Sequence, residues 1–151
     1  MCVGDICQRD VVTIAPHASL SEAARVMREK HVGMLVVVGS AAEHADRVVQ
    51  GVLTDRDIVV TVIGRDGDPK ELKVEDVMTR SPLLAAEGQS VAAVLRLMRA
   101  DGLRRVPVVG AHNELVGVLS IDDVLDLVAD QLTAISGVIR DERARERAMR
   151  P

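Results

Sequence analysis

Two short strings hold the residue types that could do chemistry, GVLTDRDIV at 51–59 and GVLSIDDVL at 117–125. In each, a hydroxyl residue stands three positions before an aspartate: Thr54 before Asp57, and Ser120 before Asp123. Gly51 aligns with Gly117 in the same way, at an offset of 66 residues. That spacing, just after an apolar run, is the pattern of a helix-capping box. It equally suits a pair of polar sites at strand-to-helix junctions. A helix start offers unpaired N–H groups and the positive end of a dipole, which favour phosphate. The hydroxyl can bond a phosphate oxygen or cap the helix. The aspartate, one turn further in, can accept hydrogen bonds from two vicinal ribose hydroxyls, and the neighbouring Val and Leu can hold a purine.

The elements around the strings are also duplicated. VGDICQRDVVTI from Val3 aligns with VEDVMTRSPLLA from Val74 at an offset of 71, and Ser19, Met27 and Gly39 align with Ser90, Met98 and Gly110. The offset falls to 66 because the first copy has five extra residues within SAAEHADR at 40–47, as a β-hairpin loop tolerates. Short apolar runs at 11–14 and 83–85 predict a strand in each copy. A helix is expected over 19–30, opened by a Ser19–Glu22 capping box, and another over 90–101, stopped by Gly102. Two β-branched runs follow in each copy, 35–38 with 48–53 and 106–109 with 115–119, and a last helix starts inside the repeated string. The unit is β-α-β-β-α, twice. This is an α/β (α+β) chain with repeat 1 at 1–65, a linker closing at 66–73 (GRDGDPKELK begins it at 64), repeat 2 at 74–135 and a charged tail at 136–151. A unit of about 60 residues buries too little surface to stand comfortably alone. Two copies packed about a pseudo-twofold axis would bury their sheet faces and leave two related clefts.

Composition narrows the function classes. The chain has 151 residues, 48% apolar and 28% charged, the profile of an ordinary globular protein. Its net charge of −4 opposes non-specific nucleic-acid binding, and the absence of Phe, Tyr and Trp removes the stacking platforms of single-strand readers. Any flat ring bound here must lie between aliphatic side chains and backbone. The longest apolar run is the strand-length MLVVV, so membrane insertion is not expected. No signal-peptide pattern opens the chain, and the cytoplasm is the expected location. Cys2 and Cys7 read as free thiols, and His17, His31, His44 and His112 are too scattered for a metal site.

The paired strings, the GLRRVPVVG segment before a hairpin and the duplicated unit resemble a CBS-domain pair, the Bateman module, over nearly the whole chain. That resemblance implies two intertwined repeats whose clefts take adenosine-containing ligands such as AMP, ADP, ATP, NAD or S-adenosylmethionine, with no required cofactor. It assigns Val52, Thr54, Arg56 and Asp57 to one cleft, with Met78, Ser81, Leu83, Leu103, Arg104 and Arg105. The other would join Val118, Ser120 and Asp123 to Cys7, Asp10, Val12, Val32, Gly33 and Met34. Packing alone also explains Cys7, Met34 and Met78, and Arg104 and Arg105 also fit a solvated pair. The first copy departs from the family pattern in having Val36 where the second has Pro107.

Enzyme motifs are missing: no nucleophile elbow, phosphate loop or zinc-binding helix pattern occurs, and the two aspartates fall in different clefts. The expected function is a stand-alone, non-catalytic regulator that senses an adenosine nucleotide and acts through an unknown partner protein. A structural or stress-response interaction module with empty clefts is the alternative. The resemblance further implies a homodimer. The tail from Arg140 alternates charge and suits an exposed helix. Charge also separates the clefts: Arg56, Arg104 and Arg105 gather at Thr54, whereas Asp122, Gly33 and Met34 hold the matching places at Ser120. Phosphate is therefore expected to favour the Thr54 cleft, with no added positive charge in the other.

Overall fold

The computed structural model describes residues 1–39 and 47–149. The loop expected to absorb the five extra residues lies largely outside this range, as do His44 and the last two residues of the tail. The first copy forms β1 (Thr13–Ile14), α1 (Leu20–Lys30), β2 (Met34–Val38), β3 (Val49–Thr54) and α2 (Asp55–Val62). The second copy opens with a short helix α3 (Val74–Val77) and strand β4 (Thr79–Arg80) and continues with β5 (Ala85–Ala86), α4 (Val91–Asp101), β6 (Arg105–Val109), β7 (Leu115–Ser120) and α5 (Ile121–Met149). This is the duplicated β-α-β-β-α unit.

Local chemistry places the boundaries. Ser19 Oγ accepts from the Glu22 N–H at 3.1 Å, and Ser90 Oγ accepts from the Ala93 N–H at 3.2 Å. Among the described residues Glu22 does not return the bond, so Ser19 is a simple cap and not half of a capping box. Both long helices then stop at a left-handed residue, His31 (φ 54°) and Gly102 (φ 64°). Glycine adopts that conformation freely; histidine does so at a steric cost.

The sheets show where the two copies interlock. One has the order β1-β2-β3-β4 and the other β5-β6-β7. Strand β4, which leads into the second copy, pairs antiparallel with β3 of the first, Val52 facing Thr79. The exchange is mutual, because Gln8 and Val118 trade backbone hydrogen bonds of 2.9 Å across β7. The buried apolar sets follow. Val74 and Met78 pack with Leu20, Met27, Leu35 and Leu53, while Val3 packs with Val94, Met98, Val106 and Leu119. Each core is completed by the segment that opens the other copy.

This crossing explains the glycine of the repeated string. A Cβ on Gly51 would lie 2.7 Å from the Thr79 carbonyl oxygen and the Met78 sulfur. On Gly117 it would lie 2.7 Å from the Gln8 carbonyl oxygen and the Cys7 sulfur. Only a missing side chain lets the incoming strand lie that close.

The Val36–Pro107 difference also has a structural consequence. The Val36 N–H donates to the Val12 carbonyl at 3.2 Å. Proline has no N–H to give. The parallel pairing of β5 with β6 accordingly begins one position later, at Ala85 with Val108, whereas β1 already pairs at Thr13 with Val36.

The charged tail is not separate from the last helix of the repeat. Helix α5 runs unbroken through the 135–136 boundary to Met149, and its far half is exposed.

Candidate functional site

At both junctions the capping reading and the cleft reading hold together. The Thr54 N–H donates to Asp57 Oδ2 at 2.9 Å, and the Asp57 N–H donates to Thr54 Oγ1 at 3.2 Å. Ser120 and Asp123 form the same reciprocal pair at 3.0 and 3.2 Å. Each pair also lines a cleft.

The Thr54 cleft encloses about 510 Å³. Val52, Thr54, Arg56 and Asp57 line it from one copy, and Leu83, Leu103, Arg104 and Arg105 from the other. Met78 and Ser81, expected here, do not. Met78 is core, packed over Gly51, and Ser81 is an exposed residue with φ 48°. Sequence reasoning missed Asp55, Thr79, Pro82, Gly102 and Pro107. The 71-residue offset is the signal for three of them, since Thr79, Pro82 and Gly102 sit opposite Gln8, Val11 and His31 of the other cleft.

The Ser120 cleft is smaller, about 270 Å³. Asp10, Val12, Val32, Gly33, Met34, Val118, Ser120 and Asp123 line it; Cys7 does not, because it packs against the second core. Burial raises the Cys7 thiol pKa despite the charge of Arg9, which keeps it protonated. Gln8, Val11, His31, Val36 and Arg105 complete the wall. Two of these are larger than their counterparts: Gln8 stands where the larger cleft has Thr79, and His31 where it has Gly102.

Two expectations need correction. First, the backbone donors at the start of α2 are not free for an anion. Thr54 N–H goes to Asp57, Asp55 N–H to the Gly33 carbonyl at 3.0 Å, Arg56 N–H to Asp55 Oδ1 at 2.8 Å and Asp57 N–H to Thr54. The protein's own oxygens fill the positions that phosphate would take, so an anion must be held by side chains. Second, the Ser120 cleft does have positive charge. Arg105 lies beside Ser120 in the β6–β7 pairing and lines both clefts.

Arg104 and Arg105 approach Asp122 at 3.6 and 4.0 Å, all three well exposed. Such pairs contribute little, about 0–1 kcal/mol, and are easily exchanged for another anion. Burial pushes the Asp123 pKa up, but the Ser120 hydroxyl, the Gln8 amide, the Ser120 N–H and the Arg105 charge outweigh it and hold the group below the ordinary carboxylate range. Among the described residues there is no group of three or more His, Cys, Asp or Glu that could hold a metal ion. Nor is any helix there long and apolar enough to cross a membrane.

A model of the CBS domain matches residues 3–64 and again residues 74–130. Protein MK0525 of Methanopyrus kandleri is 31% identical over 125 residues, 83% of this chain and 61% of that one. The chain thus spans less than two thirds of that relative. Hypoxic response protein 1 of Mycobacterium tuberculosis is 32% identical over 120 residues, 80% of either chain. Among solved structures, CBSX2 in complex with AMP superposes with a TM-score of 0.73 at 26% identity, covering 87% of this chain and 98% of that one. The CBS domain pair of MJ0100, in complex with 5′-methylthioadenosine and S-adenosyl-L-methionine, has a TM-score of 0.71 at 26% identity, with the same coverage. A hexameric CBS-CP12 protein from bloom-forming cyanobacteria has a TM-score of 0.70 at 27% identity, covering 97% of this chain and 88% of that one. The duplication, the exchanged opening segments and the paired clefts have one source: the chain belongs to the CBS-domain family and is a pair of CBS domains.

Proposed function

We propose that this CBS pair is a non-catalytic sensor that binds an adenosine nucleotide of the AMP, ADP or ATP class in the Thr54 cleft and signals to a partner protein. The observation that carries this reading is the state of the polar groups in that cleft. Asp57 Oδ1 and the Thr54 hydroxyl hydrogen have no partner among the described residues, although each side chain is fixed by its capping bond. Ribose hydroxyls donate to Asp57 Oδ1, and the Thr54 hydroxyl donates to a phosphate oxygen. Arg56, Arg104 and Arg105 supply charge-assisted hydrogen bonds to the phosphate. The purine lies between Val52, Leu83, Leu103 and Pro107, the aliphatic walls that a chain without aromatic residues must use. At about 510 Å³ the cleft is within the usual 300–1,000 Å³ of small-molecule sites and is the roomier of the two. The ligand-bound relatives CBSX2 and MJ0100 support the adenosine class; NAD and S-adenosylmethionine are the other members of it.

Signalling has a route in this reading. A phosphate that draws Arg104 and Arg105 off Asp122 alters the first turn of α5, whose exposed length is the output surface. A second copy is the proposed first partner. Leu125, Val128, Leu132, Ile135 and Ile139 are exposed at alternating spacings of three and four, the seam of a coiled coil. The helix has Asp122, Asp123, Asp126 and Asp130 but no basic residue before Arg140, then Arg140, Arg143, Arg145 and Arg147 interspersed with Asp141, Glu142 and Glu146. Antiparallel pairing of two such helices sets the acidic starts against the ends that carry the helix's basic residues.

Calorimetric melting with AMP is the test. A ligand at about 100 times its Kd stabilises by about 2.7 kcal/mol. No shift with any adenine compound at millimolar concentration rejects the reading in favour of an interaction module with empty clefts.

A further inference from the structure

The two clefts share their ancestry, yet their polar groups are spent differently. In the Ser120 cleft, Gln8 Nε2 donates to Asp123 Oδ1 at 3.0 Å. The Ser120 hydroxyl donates to Asp123 Oδ2 at 2.6 Å, and that same oxygen accepts from the Ser120 N–H. Both carboxylate oxygens already accept inside the protein, Oδ2 twice and Oδ1 once, and the hydroxyl hydrogen is used. In the Thr54 cleft the corresponding oxygen and hydroxyl hydrogen are uncommitted among the described residues.

At Oδ1 the difference is one side chain. Gln8 enters the Ser120 cleft on the segment that crosses onto β7, and its backbone bonds to Val118 fix where the amide starts. Its counterpart Thr79 enters the Thr54 cleft on the same crossing, opposite Val52. Threonine is two atoms too short to do what the amide does, and no bond from Thr79 to Asp57 forms among the described residues. Because Gln8 is exposed, no buried group depends on this hydrogen bond.

We infer that Gln8 is a built-in stand-in for ribose: its amide occupies the acceptor of Asp123 and keeps the Ser120 cleft closed to nucleosides, so that the chain binds one nucleotide and not two. This rests on the proposed adenosine reading of the Thr54 cleft and assigns a specificity role to a residue outside the repeated string. A ribose entering the Ser120 cleft must displace a hydrogen bond already made by a tethered group, whereas one entering the Thr54 cleft displaces only solvent. His31, on the same wall, further narrows the space.

The experiment is AMP titration calorimetry on the full chain, comparing wild type with Gln8→Thr, which copies the residue of the other cleft, and with Gln8→Thr combined with Asp57→Asn. The expected result is one AMP per chain for wild type and two for Gln8→Thr, with the first affinity unchanged within about twofold. The double variant should keep one site, now in the Ser120 cleft, while Asp57→Asn alone loses tenfold or more. Unchanged circular dichroism melting shows that the variants fold; the backbone bonds at position 8 do not depend on its side chain. Wild type with one site and Gln8→Thr still with one overturns the inference and leaves the nucleotide reading standing. Two sites in wild type also overturn it. No site in wild type but one in Gln8→Thr rejects the Thr54 assignment and keeps the role of Gln8. No binding to either protein rejects both.

Discussion

Asp57 and Asp123 sit one turn into equivalent helices, and what separates them is what their second oxygen meets and whether the capping hydroxyl donates to the first. That makes Asp57 the sharper functional probe. Asp57→Ala removes a charge-assisted acceptor worth about 1.5–3 kcal/mol, a loss of roughly tenfold to over a hundredfold in nucleotide affinity. Its cost to folding is that of a cap, about 0.5–2 kcal/mol. Calorimetric titration beside urea denaturation separates the two effects; a variant that unfolds readily but keeps its affinity shows a purely structural cap. Asp123 should instead report in stability against pH. Its folded pKa lies below the unfolded value of about 3.9, so the fold favours the ionised form. The stability it contributes is complete above the unfolded pKa and is lost as pH falls through the folded value. Asp123→Asn should therefore be less stable than wild type at pH 7, and the two denaturation midpoints should converge below about pH 4.

At the scale of elements, the crossing strands and the long helix each hinge on a glycine, with opposite expected outcomes. Gly51→Ala puts a methyl group 2.7 Å from the carbonyl of Thr79 on an incoming strand that is also held by Met78 in the core. Overpacking of this kind costs about 1–3 kcal/mol, read from urea midpoints by circular dichroism. Gly137 lies within α5 with open space where a Cβ would sit. There Gly137→Ala should stabilise, by up to about 1 kcal/mol, because the substitution restores helix propensity without meeting a neighbour.

For the molecule as a whole, the exchanged segments mean that neither repeat owns a complete core. Val74 is fully buried among first-copy residues and Val3 among second-copy residues, so unfolding one unit strips the other. A single calorimetric transition, with equal van't Hoff and calorimetric enthalpies per cooperative unit, is the expected outcome; two resolved transitions would show independent repeats. The α5 seam leads to a second expectation. Sedimentation at tens of micromolar should give twice the chain mass of 16.2 kDa, and Leu132→Asp with Ile135→Asp should return it to one. A wild-type monomer would remove the dimer from the proposal.

What the sequence determined alone was whatever depends on neighbours along the chain. Ser19, Ser90 and Gly102 mark helix ends because caps are local chemistry, and the strand runs are legible in MLVVV and RVPVV because both faces of those strands are buried. The duplication was equally plain, and it located Thr54, Asp57, Ser120 and Asp123 at two equivalent junctions. Tertiary structure decided what depends on distant segments meeting. The glycine of the repeated string answers to a strand 28 residues away, and Asp123 answers to a glutamine 115 residues away. Charge counted along the chain assigned Arg105 to one cleft, but pairing of Arg105 with Ser120 places it between two. Helix-terminal N–H groups that look free in sequence are satisfied by Gly33, Asp55, Asp57 and Thr54 once the chain folds. The physical reason is the same in each case: a hydrogen-bonding group of known type and position is legible from sequence, but whether it remains available to a ligand depends on every other group that the fold brings within about 3 Å of it.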